Sequence, residues 1–452
     1  MTDAAVSVWK GRYAGVTIGA VALIFLAAIE SLAVTTVMPI VSAELHGESL
    51  YAVAFGGTLA TGVIGMVAAG AWSDRVGPRL PLYVAVGLFI AGLLIAGVAA
   101  DMPVLLIGRL VQGLGAGAQT VALYVVVARF YPPDLHGRIF AAFAAAWVVP
   151  SMIGPFLAGA VAQYLHWRWA FLGVAVLVAI AFVLVVSRLR GVDLGAGDPA
   201  QAGSRIAPRL LLAVVVALSA VGVGLAVDAP APWSSPFALL AVIVIALAIR
   251  PLLPAGTLRS VPGLPSVVLL RGMVAGAFFA AEAYIPYLLM QRFGFSPTWA
   301  GLALTAAALA WAGASSIQGR HGDRLGSRRI ALIALGLLLL ALVAVLLCAI
   351  TGAMPWVVVV GWGLAGGGMG LLYPRLTVLT LAYSAQGSEG FNSSALSIAD
   401  STGSAVAIAV SGLAVAAVGQ GPAGFAVVFA IAGALSLVAL IPGLRLGDRR
   451  QG

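Results

Sequence analysis

The sequence predicts an all-α membrane protein that crosses the bilayer many times, and three observations lead to this prediction. Of the 452 residues, 62% are hydrophobic and only 9% are charged. Soluble globular proteins carry about 25% charged residues, so this chain has too few charges to cover a surface that faces water. Apolar runs of about 20 residues, the length of a helix that crosses the hydrocarbon core, recur along the whole chain.

Fourteen apolar segments qualify as candidate transmembrane helices. Six precede the longest polar stretch of the chain, two lie in the middle and six follow. Their predicted bounds are 13–39, 50–72, 81–100, 103–129, 139–162, 167–187, 208–227, 236–254, 264–290, 298–318, 330–350, 355–379, 392–417 and 422–443.

The basic residues predict the orientation of these spans. With the N-terminus in the cytoplasm, most of the 24 lysine and arginine residues fall at cytoplasmic helix ends or loops, as the positive-inside rule requires. Removing one span would reverse every later loop, so we predict an even number of spans with both termini in the cytoplasm. The net charge of +9 does not indicate a nucleic-acid partner, because the basic residues lie in short loops between apolar runs.

Two polar connectors divide the chain and bracket the two central spans. The first, 188–207, is rich in Gly, Ala and Asp, and the second, 251–264, contains several prolines. No loop is long enough to bury a core, so we expect no soluble domain. The predicted domains are an N-terminal six-helix bundle at 1–190, the connectors with two additional helices at 191–263, a C-terminal six-helix bundle at 264–445 and a cytoplasmic tail at 446–452.

A charged loop occurs twice with the same residues at the same spacing. Each copy has a glycine, an Asp-Arg pair, a second glycine and a further arginine, so that a tight turn lies beside an acid near a helix end. The copies are Gly70, Asp74, Arg75, Gly77 and Arg79 after the second span, and Gly319, Asp323, Arg324, Gly326 and Arg328 after the span 298–318. Internal repeats of this kind are typical of secondary transporters.

The repeated pattern G-x-x-x-D-R-x-G-x-R resembles motif A of the major facilitator superfamily, and the resemblance extends along the whole chain. It implies two six-helix bundles with the two additional helices between them. It also implies a role for both loops as a cytoplasmic latch between helices 2 and 11 of a twelve-helix core, strongest when the pore faces outward.

Two further motifs agree with this resemblance. The segment from Arg109 to Gly117, RLVQGLGAG, resembles motif B, which carries an arginine within the membrane. A segment of the fifth span resembles motif C, which is associated with antiporters, although a proline replaces its first glycine and Ala158 replaces a later one. The residues of this antiporter motif are Pro150, Gly154, Pro155 and Gly159.

The first span adds a more specific resemblance. Glu30 lies nine residues before Pro39, as an acid and a proline do in the fourteen-helix drug:proton antiporter group, although Leu32 and Thr35 replace the usual Thr and Asn between them. Two additional central spans are also typical of that group.

Three acidic residues lie within predicted spans, namely Glu30, Glu282 and Asp400. A charge inside the membrane costs at least about 2.5 kcal/mol, so each is a functional candidate. Residue counts place Glu30 about 13 Å, Arg109 about 10 Å and Glu282 about 12 Å from the outer helix ends. We therefore expect Glu30 and Arg109 to lie at one level, with Glu30 as the main proton carrier. The alternative is a static pair that only ties two helices together.

The other candidate site residues could have either a transport role or a purely structural one. Glu282 could bind substrate or a proton, or could be a structural group, and Asp400 could instead hydrogen-bond to a neighbouring helix. An apolar cavity with one or two acids suits lipophilic or cationic compounds better than sugars, which need many hydrogen-bond partners. The aromatic candidates, for which packing or lipid contact is the alternative, are Tyr124, Trp147, Phe278, Tyr284, Trp311 and Trp362.

These observations predict a proton-coupled exporter of lipophilic or cationic compounds that works by alternating access. The alternatives are an exporter of an endogenous lipid or secondary metabolite, and a proton-coupled uptake symporter of an organic solute. We expect no enzymatic activity, because the sequence has no cluster of His or acidic residues at one membrane face, and no metal or cofactor beyond the proton gradient.

Further expectations concern the protein's surroundings. The predicted partners are a small lipophilic substrate, protons and the lipid bilayer, and we expect a monomer. Lys10 is the only lysine among many arginines, which suggests a GC-rich bacterial genome and therefore the bacterial inner, or plasma, membrane. Aligning Gln112-Gly113 with Ala365-Gly366 places Trp362 opposite Arg109, so proton coupling is expected in the N-terminal bundle.

Overall fold

A computed structural model describes residues 7–47, 50–195, 206–227, 233–352, 354–419 and 421–447. Parts of the predicted connector segment and of the predicted cytoplasmic tail lie outside these described residues. Within them the chain is helical and contains no strand, which confirms the all-α prediction.

The helices of the first half are α1 Gly11–Glu44, α2 Tyr51–Val76, α3 Arg79–Gly97, α4 Met102–Phe130, α5 Pro133–Ala145, α6 Val148–Tyr164, α7 Trp169–Leu189 and α8 Ile206–Val227. Those of the second half are α9 Ser234–Ala248, α10 Leu264–Phe293, α11 Pro297–Leu325, α12 Ser327–Thr351, α13 Pro355–Tyr383, α14 Glu389–Val418, α15 Pro422–Val438 and α16 Leu440–Leu444.

Twelve helical segments of the described chain are long and apolar enough to cross a membrane. Two predicted spans are not among them. α2 coincides with the predicted span 50–72 but falls outside the twelve, and α9 belongs to a shorter apolar helix. The polytopic membrane architecture is therefore supported, whereas the number fourteen and the orientation of the termini remain predictions.

The predicted fifth span, 139–162, is divided into α5 and α6. α5 ends at Ala145, with Ala146 as its C-terminal cap, and Pro150 lies in the first turn of α6. A proline has no N–H for the carbonyl four residues earlier, here Ala146, and its ring crowds that carbonyl. The helix therefore breaks where the antiporter motif begins.

The chain forms two compact units. Unit 1 comprises Met1–Val221 together with Ser384–Ser394, and unit 2 comprises Gly222–Tyr383 together with Ala395–Gly452. The first two turns of α14 thus belong to unit 1. The domain bounds predicted from the sequence remain a prediction.

In unit 1, α4 packs closely against both α2 and α3 through alternate glycines. A Cβ atom added at Gly113 would lie 2.2 Å from the carbonyl oxygen of Thr58 in α2. One added at Gly115 would lie 2.4 Å from the amide nitrogen of Phe89 in α3. Only glycine permits such approaches, so these positions set how near the backbones lie.

The same arrangement recurs in unit 2, where α13 packs against α11 and α12. A Cβ atom at Gly366 would lie 2.2 Å from the carbonyl oxygen of Ala307 in α11, and one at Gly368 would lie 2.7 Å from that of Ala334 in α12. Gly366 therefore occupies the repeat position of Gly113. Counting back along α13 places Trp362 at the position of Arg109.

Candidate functional site

A buried ion pair joins α1 to α4 in unit 1. Arg109 Nη1 donates to Glu30 Oε1 at 2.5 Å and to Gln112 Oε1 at 2.7 Å. Glu30 and Arg109 are each only 5% exposed. Because Arg109 and Gln112 are three residues apart on one helix, they share a face, and the guanidinium of Arg109 binds both Gln112 and the acid from α1. The structure thus brings the two residues predicted to lie at one level into direct contact.

This arrangement has the parts that a proton-exchange site needs. A buried carboxylate is costly unless a cation compensates it, and Arg109 supplies that cation. If Glu30 were protonated, its attraction to the guanidinium would weaken, but the Gln112 amide oxygen would still accept a hydrogen bond from Arg109. The arginine therefore has a second partner in either protonation state of the acid.

Unit 2 has an aromatic stack where unit 1 has the ion pair. Trp362 is fully buried and stacks on Phe278 from α10, with ring centroids 4.9 Å apart. Trp311 packs against Phe278 and Tyr373 in T-shaped arrangements, with centroid distances of 5.5 and 4.9 Å. Phe278 and Trp362 are enclosed by protein, as the packing alternative expects, while Trp311 is only partly buried.

Glu282, also on α10, differs from the other two membrane acids, because no cation of the described residues pairs with it. It is partly buried, and among the residues that the structure describes no hydrogen bond or ion pair holds its carboxylate. Phe279, three residues earlier, is partly exposed on the same helix face. The ring centroids of Tyr284 and Tyr287 lie 6.4 Å apart, and Tyr287 is 57% exposed.

A second ion pair lies in unit 2, between α10 and α14. Arg271 Nε donates to Asp400 Oδ1 at 2.7 Å, and its guanidinium carbon lies 3.4 Å from the ring centroid of Tyr373. Arg271 Nη1 also donates to the main-chain oxygen of Tyr373 at 3.2 Å. The pair lies where the two helices approach closely, because a Cβ atom at Gly403 would be 2.1 Å from the oxygen of Gly272. Asp400 therefore bonds to a neighbouring helix, which is the alternative to a transport role that the sequence left open for it.

The first copy of the repeated loop caps a helix. Asp74 is buried, and its two carboxylate oxygens accept from the main-chain N–H groups of Gly390 and Phe391 at 2.7 and 2.8 Å. These are unpaired donors in the first turn of α14, where a negative charge is favourable. Gly70 allows the approach, since a Cβ atom there would lie 2.5 Å from the oxygen of Gly390. Burial raises the pKa of Asp74 to about 6, although the two main-chain bonds oppose this change.

Two arginines, one from this loop and one from the end of α4, bind the connector that follows α7. Arg79 donates to the main-chain oxygen of Val192, and Arg129 donates to that of Gly195 at 3.2 Å and to Glu389 at 3.3 Å. Gly77, at φ 85°, turns the chain beside them. Arg75 is partly exposed.

The second copy of the loop has a different environment within unit 2. Gly326 likewise has a positive φ, 78°, but the Asp323 side chain is 82% exposed and pairs with Arg375 Nη1 at 2.5 Å. Arg324 and Arg328 are exposed. The two copies therefore share their turn, whereas the acid caps a helix only in the first.

The remaining predicted residues lie in unit 1. Gly154 of the antiporter motif faces α1, because a Cβ atom there would lie 3.5 Å from the Cβ of Leu32. Pro155 and Gly159 are also in α6, but their surroundings fall outside what the structure describes. Trp147 is exposed, and Tyr124 packs edge-on against Phe140 at 5.2 Å.

Several residues that complete these sites were not identified from the sequence. Gln112 could have been found from its spacing of three residues from Arg109 on one helix. The contacts of Tyr373 and Glu389 depend on helix packing and have no local signal in the sequence.

Comparison with known proteins adds the family and the fold. The family model of the Major Facilitator Superfamily matches residues 20–360 and 267–451. The MFS efflux transporter aclA of Aspergillus oryzae is 34% identical over 178 residues, which cover 38% of this chain and 32% of that protein. The Acurin A biosynthesis cluster MFS-type transporter of Aspergillus aculeatus is 30% identical over 166 residues, covering 37% of this chain and 30% of that one. The matched parts thus span about a third of these relatives' length.

A solved structure extends the similarity to nearly the whole chain. The human organic anion transporter MFSD10 (TETRAN) matches with a TM-score of 0.67 and 17% sequence identity, covering 94% of this chain and 99% of that one. At this identity the match shows a shared fold.

Proposed function

The chain belongs to the major facilitator superfamily, and from this premise we propose that it is a proton-coupled exporter of lipophilic or cationic compounds that works by alternating access. A multi-pass membrane transporter follows from the family. The proton coupling, the substrate class and the export direction are the proposal.

One observation carries the proton coupling, namely the Glu30–Arg109 ion pair with Gln112 as second acceptor. A proton that binds Glu30 from one side of the membrane and leaves to the other moves through the membrane potential, which supplies about 2.3 kcal/mol per 100 mV for each charge. Arg109, held by Gln112, keeps a hydrogen-bond partner throughout.

The substrate class and direction have separate support. The membrane acids are few and the surrounding side chains are mostly apolar, which suits a lipophilic compound that has a positive charge or none. The name of the Aspergillus oryzae relative describes that protein as an efflux transporter. The name of the Aspergillus aculeatus relative links that protein to a biosynthesis cluster, which favours export of a secondary metabolite as the second candidate.

A transport assay with purified protein tests the proposal. Proteoliposomes with an imposed pH gradient are loaded with ethidium as the cationic probe, and wild type is compared with Glu30→Gln. We expect wild type to build up a gradient-driven ratio of ethidium concentrations across the membrane. In the variant this ratio should be at least about tenfold smaller, because each 1.4 kcal/mol of lost driving force changes such a ratio tenfold.

Glu44→Gln is the matched control, because Glu44 ends the same helix α1 with a half-exposed side chain. It should transport like wild type. Full gradient-driven movement by Glu30→Gln would overturn the proton-carrier role. The same assay with a lipid and a neutral metabolite distinguishes the candidate substrates.

The setting of the protein remains part of the proposal. We propose that it acts as a monomer in the plasma membrane of a bacterial cell, with the proton gradient as its only energy source. The predominance of arginine over lysine is the observation that favours the bacterial origin.

A further inference from the structure

α10 contains an interior proline directly after its membrane acid. Pro286 lies four residues beyond Glu282 within the helix. A proline has no N–H, so the main-chain bond that would occupy the carbonyl of Glu282 is missing. Glu282 therefore offers two acceptors at one position, its carboxylate and its own carbonyl oxygen.

A second interior proline of unit 2 also frees a main-chain carbonyl, but there a side chain of another helix supplies the missing donor. Pro374 lies inside α13 and frees the carbonyl of Gly370 in the same way. The hydroxyl of Ser315 from α11 donates to that carbonyl at 3.0 Å. A neighbouring helix thus supplies the donor that proline removed.

Glu282 has no such donor from another helix in the part of the chain that the structure describes. Outside the backbone of α10 itself, none of the described residues donates to its carbonyl, and none binds its carboxylate. Acceptors in apolar surroundings that have no donor from another helix are costly, since each loses its bonds to water. The partly exposed ring of Phe279 lies on the same face and can contact the apolar body or the charge of a ligand.

We propose that Glu282 and the carbonyl freed by Pro286 form a recognition site for protonated amines, which carry both a positive charge and an N–H donor. The carboxylate attracts the charge, and the carbonyl accepts a hydrogen bond that a quaternary ammonium cannot give. This inference rests on the proposed function and adds, among its cationic substrates, a preference for amines that carry at least one N–H on the charged nitrogen.

Equilibrium binding to the full-length protein in nanodiscs tests the proposal without any gradient. The probes are radiolabelled imipramine, a tertiary amine that is protonated at pH 7, and its quaternary N-methyl derivative. We expect wild type to bind imipramine about tenfold more tightly, the difference that one charge-assisted hydrogen bond makes. Glu282→Gln should weaken both ligands at least tenfold, because it removes the charge that both require.

Pro286→Ala separates the two acceptors. It restores an N–H at position 286 that occupies the carbonyl of Glu282. The ratio of the affinities for imipramine and the quaternary probe should therefore fall towards one, while the quaternary probe binds within about twofold of wild type. The matched control is Pro374→Ala, whose freed carbonyl is already occupied by Ser315, and it should keep the preference.

Several results would overturn the proposal. They are equal binding of the two probes by wild type, unchanged binding by Glu282→Gln, and an unchanged preference in a folded Pro286→Ala protein. If that variant does not fold, a primary-to-quaternary series of N-methylated imipramine analogues on wild type decides, because affinity should drop only at the step that removes the last N–H. Amine-selective binding without gradient-driven transport would instead contradict the proposed function alone.

Discussion

Trp362 occupies in unit 2 the position that Arg109 occupies in unit 1. The equivalence follows from Gly113 and Gly366, which lie four residues after Arg109 and Trp362. A Cβ atom added at Gly113 would lie 2.2 Å from a carbonyl oxygen of α2, and one added at Gly366 would lie 2.2 Å from a carbonyl oxygen of α11. One position therefore holds a charge in the first repeat and a stacked indole in the second. A change in proton occupancy can act on the first but not on the second, which favours unit 1 for the proposed coupling.

The first prediction concerns the stability of the ion pair in unit 1. Arg109→Gln leaves Glu30 buried without its cation and should lower the free energy of unfolding by about 3–5 kcal/mol at neutral pH. The double variant Glu30→Gln/Arg109→Gln should lose much less, because it buries no charge. Thermal or denaturant unfolding in detergent measures both. Equal losses in the single and double variants would show that the pair carries no such interaction.

The second prediction concerns the crossing of α2 and the start of α14. Gly390→Ala would place a Cβ atom 2.1 Å from the oxygen of Gly70, so the helix ends must separate at a cost of about 1–3 kcal/mol. Gly87→Ala in α3 is the control, because an added Cβ there meets nothing within 4 Å. It should stabilise the helix by about 0.5–1 kcal/mol. Unfolding curves that move in the same direction for both variants would contradict this packing.

The third prediction is a pH dependence that originates at Asp74. Burial raises the pKa of Asp74 from 3.8 to about 6 in the folded protein. The folded state therefore holds this proton more tightly than the unfolded chain, so its contribution to stability is complete at low pH and is lost as the pH rises from about 4 to about 6. Two pKa units correspond to about 3 kcal/mol.

Asp74→Asn tests the pH dependence, because asparagine keeps an acceptor for α14 but does not titrate. The melting temperature of the variant should fall less steeply than that of wild type between pH 4 and pH 6. Asp323→Asn, the exposed equivalent in the second repeat, should keep the wild-type slope. A slope that is the same in all three proteins would assign the effect to other groups.

The sequence allowed some of these features to be predicted and not others, for physical reasons. Glu30 and Arg109 stood out because an isolated charge is costly in an apolar run, and residue counts along two helices were enough to place them at one level. The partners of Asp74 could not be predicted, because Gly390 lies 316 residues away and any helix start offers similar N–H groups. The repeated loops looked equivalent in sequence, and only packing distinguishes a buried cap at Asp74 from an exposed pair at Asp323.

The last prediction concerns the second ion pair. Arg271 has both a carboxylate partner in Asp400 and an aromatic partner in Tyr373, whose ring centroid lies 3.4 Å from the guanidinium carbon. Tyr373→Phe keeps the ring, whereas Tyr373→Leu removes it, so the leucine variant should lose about 0.5–2 kcal/mol of cation–π energy in addition to its packing loss. Introducing the leucine in both wild-type and Arg271→Met backgrounds isolates the pairwise energy, because the packing loss is common to both. A coupling energy of zero in this cycle would show that the ring only fills space beside Arg271.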